Sequence, residues 1–338
     1  MMSLERSYDY PAKNAVRRAW MQFLPLSFQS SSCVRGLYLP GNANLELSGY
    51  LEKGVQAHQL IGAEHNEDVY ERIKAQASGI HLVQGSIQEA VRQIKERGWN
   101  PLTFANFDFD GSCHTFVEDV LSVFSVFPLN DPAYLSVSSY SARDDEAVLQ
   151  GIVNTSKFYS TFESTAQFWA SYGRMMDRNT ALRRQLPGSS VEDHVHLSRE
   201  LGFLWWMALV MGSIDRCENA VWTVNESYTQ SFNDILQDIT RRAMERIGDQ
   251  GEFRVLSDPR LGQQLRNRVC SLWPDRFEHY VWFTAQRQPM RTWMIRIQPL
   301  GQEEPRPTHF EVVEQLWNMA TRTPLVYLNH SGTKISFD

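Results

Sequence analysis

Residues Asn106-Phe107-Asp108-Phe109-Asp110-Gly111 bring two carboxylates and an amide together at the end of an apolar run. Alternation along an extended chain puts Asn106, Asp108 and Asp110 on one side. Carboxylates are costly to bury without partners, so these could bind an amine or accept a proton. A divalent cation needs more oxygen ligands than this segment supplies, and no metal site is expected. Asp108, Asp110 and Asn106 are the candidate catalytic residues. The structural alternative is that Asp110 caps the following helix and Asp108 orders the turn. His114, in the first turn of that helix, is more simply read as a surface residue.

Two further points could meet a ligand. The turn Pro40-Gly41-Asn42-Ala43-Asn44 follows an apolar run, and Glu64 ends the next run, about 20 residues on. A glycine turn lets the backbone approach a ligand, and an acid at that distance can accept hydrogen bonds from ribose hydroxyls. Their structural alternative is a turn glycine and a solvated strand-end acid. Gly85-Ser86 follows the third run; Ser86 could touch an adenine edge, or cap the helix that starts there. Gly41, Asn42, Glu64, Ser86 and Asn106 are thus the candidate cofactor-binding residues. The turn is not G-x-G-x-x-G, which counts against NAD-type redox chemistry.

These residues need elements to hold them. Five apolar runs, Gly36–Pro40, Gln59–Ala63, Ile80–Val83, Leu102–Phe109 and Ala133–Ser139, alternate with stretches of helical spacing. Strands alternating with helices imply a mostly parallel sheet, and ligands bind such sheets at the carboxyl ends of the strands. The helices are expected at Leu45–Lys53, Glu67–Gln76 with Asn66 as N-cap, Ser86–Arg97 with a Ser86/Glu89 capping box, and Cys113–Phe124. An earlier helix is expected at Ala15–Phe23. Residues 143–250 read as several helices with no convincing strand. Phe277–Thr284 and Thr292–Gln298 then read as an antiparallel hairpin, followed by a helix over 309–320 and a short apolar stretch, Leu325–Leu328.

Composition narrows the class. The chain has 338 residues, 42% hydrophobic and 21% charged, which suits a globular protein. A net charge of −6 disfavours nucleic-acid binding across the whole surface, though a local basic groove stays open. Cys33, Cys113, Cys217 and Cys270 are scattered without CxxC spacing, so neither a zinc site nor a disulfide framework is supported. Met1 to Tyr10 has no apolar signal-peptide core. The run Leu201–Met211 is too short to span a bilayer and reads as a buried helix, its Trp205-Trp206 pair packing in the core. A cytoplasmic protein with no membrane contact is expected. His194 and His196, Arg183-Arg184 and Arg241-Arg242 read as surface groups.

The glycine turn at Gly41, the acid at Glu64, the Asn106–Asp110 cluster and the terminal hairpin together resemble the class I S-adenosylmethionine-dependent methyltransferase family. The resemblance covers roughly residues 33–142 and 276–299. It implies an α/β fold: a mostly parallel Rossmann-like sheet with a C-terminal antiparallel hairpin and a large helical insertion. The implied organisation is a helical lead-in over 1–32, a core over 33–142, an insertion over 143–275, and the completing hairpin and tail over 276–338. S-adenosylmethionine is the implied cofactor. Gly41 would abut its methionine part, Glu64 its ribose, Ser86 its adenine, and Asn106 to Asp108 the methyl group. The acceptor is unassigned, and a nucleic acid is one candidate. Asn106-Phe107-Asp108-Phe109 lacks both prolines of the Asn-Pro-Pro-aromatic motif of amino-methylating DNA enzymes, so that chemistry is not carried across. The alternative is an inactive relative that binds a protein partner through the helical insertion.

Overall fold

The computed structural model describes residues 9–26, 28, 35–76, 79–99, 101–111, 116–140, 203–204, 207–208, 210–216, 222–225, 268–286, 289–301 and 304–335. Its centre is a nine-stranded sheet. The parallel part is β1 (Gly36–Tyr38), β2 (Leu60–Glu64), β3 (His81–Gln84), β4 (Phe104–Asp108) and β5 (Ala133–Tyr140). These correspond to the five apolar runs. A long hairpin, β8 (Leu272–Phe283) and β9 (Pro289–Pro299), joins beside β5, and β10 (Val326–Leu328) and β11 (Lys334–Ile335) close that edge. The strand order is β11-β10-β8-β9-β5-β4-β1-β2-β3.

Pairing is parallel from β3 through β5 and antiparallel between β5 and β9 and between β9 and β8. The order 3-2-1-4-5 is that of a Rossmann-like sheet. The antiparallel hairpin set beside the fifth strand completes the mostly parallel sheet, as the sequence pattern leads one to expect. The hairpin is longer at both ends than its apolar runs suggest. Pro274 and Asp275 hide its start, because β8 is bulged between Pro274 and Arg276. Proline is tolerated where the ladder is broken, and Arg296 clasps Asp275 there with two 2.7 Å hydrogen bonds.

Two layers cover the sheet. On one face lie α1 (Pro11–Phe23) and α2 (Glu46–Glu52). Trp20, Phe23, Tyr50, Phe104 and Tyr134 form an aromatic core there. The Phe104 ring stacks on Tyr50 at 4.9 Å between centroids. It also fills the space beside Gly36, where an added Cβ would lie 2.0 Å from its ring. On the other face lie α4 (Ile87–Glu96), α5 (Val117–Phe124) and α6 (His309–Arg322), whose Val91, Ile94, Val120, Phe124, Val312 and Leu316 share the second core. A further helix, α3 (Glu67–Gln76), has the bounds its sequence pattern indicates, and Asn66 Oδ1 caps it at Val69 N–H (3.2 Å).

Several sequence expectations are corrected. The first helix starts at Pro11 rather than Ala15, because proline suits the first turn, where its missing N–H is not needed. The region read as strandless holds an antiparallel pair, β6 (Ile214–Arg216) and β7 (Trp222–Val224), each too short to give a periodic signal. Only half of the Ser86/Glu89 box is seen. Ser86 accepts from Glu89 N–H, but the Glu89 carboxylate is drawn to Arg92 and Gln93. A complete capping box stands at Thr308/Glu311 instead, at the start of α6. Phe203, Leu204, Met207, Ala208 and Met211 are helical and fully buried, as a core helix requires. Trp205-Trp206, His114, His194, His196, the two arginine pairs and most of 143–275 lie outside the described residues. Among the described residues, no helix is long and apolar enough to cross a membrane.

Candidate functional site

The carboxyl ends of β1 to β4 open into one crevice of about 650 Å³, within the usual range of small-molecule sites. Its floor is the β1–α2 turn. Gly41 has φ +55° and Asn44 φ +45°, left-handed values that suit glycine and asparagine. The Asn44 side chain pins the turn to the sheet, since Tyr38 donates to its Oδ1 at 2.8 Å. Burial raises the Tyr38 hydroxyl well above its ordinary pKa, so it stays a donor. Nothing lies within 4 Å of a Cβ added at Gly41. Asn42 lines the crevice and meets Arg72 only at 3.5 Å.

Glu64 reaches the crevice from the end of β2. One of its oxygens accepts from Asn66 N–H at 2.8 Å, which holds the carboxylate at the wall. Ser86 also lines the crevice, and its hydroxyl caps α4 by accepting from Glu89 N–H at 3.2 Å. Asp108 and Asp110 both line it. Asp108 forms an ion pair with Lys13 of α1. Asp110 is exposed at the rim, and the N-cap position of α5 is Phe116. Asn106 is not part of the lining. It shares the Asp108 side of β4, as alternation requires, but sits deeper, donating to the buried Tyr50 hydroxyl at 3.1 Å. Trp20 donates to the same hydroxyl at 3.1 Å.

Sequence reasoning missed several lining residues. On the α1–α2 side, Arg17 pairs with Glu46 at 2.8 Å, next to the Lys13–Asp108 pair. Lys13 and Arg17 are four apart, on one face of α1, and that spacing was the available signal. On the α4–α5 side, Phe109 and Phe116 stack at 3.8 Å between centroids, and Asp119 lies beyond them. Gln88 of α4 donates to the Asp119 carboxylate through its backbone and its side chain. Burial outweighs those bonds and raises the Asp119 pKa.

Four buried side-chain polar atoms have no hydrogen-bond partner among the described residues, and two of them, Asn44 Nδ2 and Asp119 Oδ1, belong to crevice residues. Such orphans are uncommon in native proteins and costly. A smaller cavity of about 60 Å³ adjoins, lined by Tyr10, Tyr140, Trp282 and Met290. It shares Lys13, Asp108, Phe109 and Asp110 with the crevice. Among the described residues, no three His, Cys, Asp or Glu side chains are grouped to hold a metal.

No family model matches the chain, and no curated protein matches it. Among solved structures it is similar to the plantazolicin methyltransferase BamL in complex with a triazolic desmethylPZN analog and SAH. The two share 11% identity over 86% of each chain, with a TM-score of 0.35. The reading of the crevice therefore rests on this chain's own residues.

Proposed function

We propose that the protein is an S-adenosylmethionine-dependent methyltransferase acting on an oxygen or nitrogen nucleophile. The observation that carries this reading is the crevice at the carboxyl ends of β1 to β4, with a left-handed glycine turn at its floor and Glu64 at its wall. Its polar groups fit the cofactor. Lys13–Asp108 and Arg17–Glu46 set two cations beside two anions, a pattern complementary to the carboxylate and ammonium of an amino acid. Asn44, whose Oδ1 accepts from Tyr38, fixes the shape of the turn that the cofactor meets.

Bound there, S-adenosylmethionine supplies an electrophilic methyl group on a sulfonium. Gly41 lets the backbone come close, and Asn42 borders it. Glu64 accepts from the ribose hydroxyls with the carboxylate edge that Asn66 leaves free. Ser86 accepts from Glu89 N–H as a cap and keeps its O–H to donate to the adenine edge. Asn106 supports the site from behind by fixing Tyr50. Asp108, held by Lys13, orients. Asp110, exposed where the crevice meets the aromatic cavity, takes the acceptor's proton. Positioning of the reactants is the main catalytic contribution. The division into a 33–142 core with an insertion over 143–275 belongs to the same proposal, and β1 to β5 falling within 36–140 supports it. A nucleic-acid acceptor is not supported, because Lys13 and Arg17 are both engaged with carboxylates and the chain carries a net charge of −6.

Calorimetric titration with S-adenosylhomocysteine tests the reading. Saturable binding is expected, weakened about tenfold or more by Glu64→Ala. Gly41→Arg should abolish it, since the arginine side chain enters open space at the crevice floor. Absence of binding at millimolar ligand would sink the proposal.

A further inference from the structure

The aromatic cavity that adjoins the crevice draws its walls from three places in the sequence. Tyr10 comes from just before α1, Tyr140 from the end of β5, and Trp282 and Met290 from the β8–β9 hairpin. Tyr10 and Trp282 lie with ring centroids 6.0 Å apart and planes inclined at 39°. The Trp282 indole N–H donates to Thr292 Oγ1 at 2.8 Å, and Ser138 Oγ meets that hydroxyl at 2.7 Å, so the ring is fixed from within the sheet. The charged lining residues are two acids and one base. Lys13 pairs with Asp108, so the exposed Asp110 carboxylate sets the sign. Ring faces carry partial negative charge, and with an excess of carboxylate beside them they attract a cation and repel an anion. No histidine or cysteine is among the described residues that line the cavity. A carboxylate is too weak a base to ionise an alcohol, but it can hold an ammonium group and relay its proton.

We propose that this cavity receives the methyl acceptor and that the acceptor is an amine, which enters as its ammonium ion between the aromatic rings and the Asp110 carboxylate. This rests on the cofactor reading above and narrows its acceptor to nitrogen. The ammonium gives one proton to Asp110, which passes it to solvent at the rim. The freed nitrogen lone pair forms the new bond to the methyl carbon as the methyl–sulfur bond breaks, and the electron pair of that bond stays on sulfur. The products are the methylated ammonium ion and S-adenosylhomocysteine, with one proton released.

Three probes with similar short alkyl chains and different heads test the inference: n-butylamine, n-butanol and butyrate. Each is titrated into the whole chain at neutral pH by ligand-observed NMR, with and without S-adenosylhomocysteine. The amine is expected to bind about tenfold or more tighter than the alcohol, and the carboxylate weakest of the three. Tyr10→Leu should cut the advantage of the amine about threefold or more, whereas Tyr10→Phe, which keeps the ring, should preserve it. Thermal unfolding of both variants separates loss of the ring from loss of fold, and the wild-type order of the probes needs no variant. Absence of amine binding at millimolar ligand, equal binding of amine and alcohol, a preference for butyrate, or an amine preference indifferent to Tyr10→Leu would overturn the inference while leaving the cofactor reading intact. An amine preference in a wild type that fails to bind S-adenosylhomocysteine would overturn the cofactor reading, and with it the acceptor role of the cavity.

Discussion

The two sides of the crevice solve the burial of charge in opposite ways. On the α1–α2 side every acid named in the lining has a basic partner: Asp108 has Lys13 and Glu46 has Arg17. On the α4–α5 side Asp119 has only neutral donors from Gln88, and one of its oxygens has none. The first side is electrostatically complete before any ligand arrives and can match a zwitterion by exchange of partners. The second is incomplete and gains by binding. A buried group left unpaired costs about 1–3 kcal/mol.

Breaking the completed side should have the largest effect. Gly36→Ala would drive a methyl group into Phe104, which the Tyr50 ring holds in place behind α2. Destabilisation of about 3 kcal/mol or more is expected, seen as a large fall in Tm. Lys13→Met comes next. It leaves the partly exposed Asp108 without its cation and should cost about 1 kcal/mol of stability in denaturant unfolding. It should also weaken S-adenosylhomocysteine binding, whereas a side chain that merely packs would change stability alone.

The opposite layer should respond to pH. His309, fully buried at the start of α6, has its pKa lowered to about 3 by burial and by nearby Arg268, from an ordinary 6.5. The unfolded chain therefore binds a proton that the folded chain refuses. Stability is complete above pH 6.5 and falls as pH drops towards 3, by up to about 1.4 kcal/mol per pH unit. Replacing it with a non-titrating residue, His309→Gln, should flatten that part of the acid-unfolding curve. The smallest effect is expected from Ser86→Ala. It removes the α4 cap and should cost about 1 kcal/mol by thermal unfolding.

The contrast also explains what the sequence could disclose. The five parallel strands and α3 were legible because apolar runs and turn residues are local signals. Gly41, Glu64 and Asp108 could be placed at one crevice because strand ends of a parallel sheet converge. The Lys13–Asp108 pair joins residues 95 positions apart, and no local pattern encodes it. Asp119 falls in the first turn of α5, where the helix dipole favours an acid, and nothing in its sequence neighbours marks it further. Its missing partner exists only once α4 packs on α5. Alternation gives the side of the strand on which Asn106 lies and says nothing of its depth, which the structure sets behind the lining, against Tyr50. The β6–β7 pair and β11 are too short for periodicity to register.

Hydrogen exchange with and without S-adenosylhomocysteine tests the central claim, a single ligand spanning both sides, most directly. Slowed exchange is expected together at the turn around Gly41–Leu47, at the β2–α3 loop around Asn66, and at the α4–α5 contact around Gln88 and Asp119. Protection absent from these segments, or confined to a different part of the sheet, would contradict it.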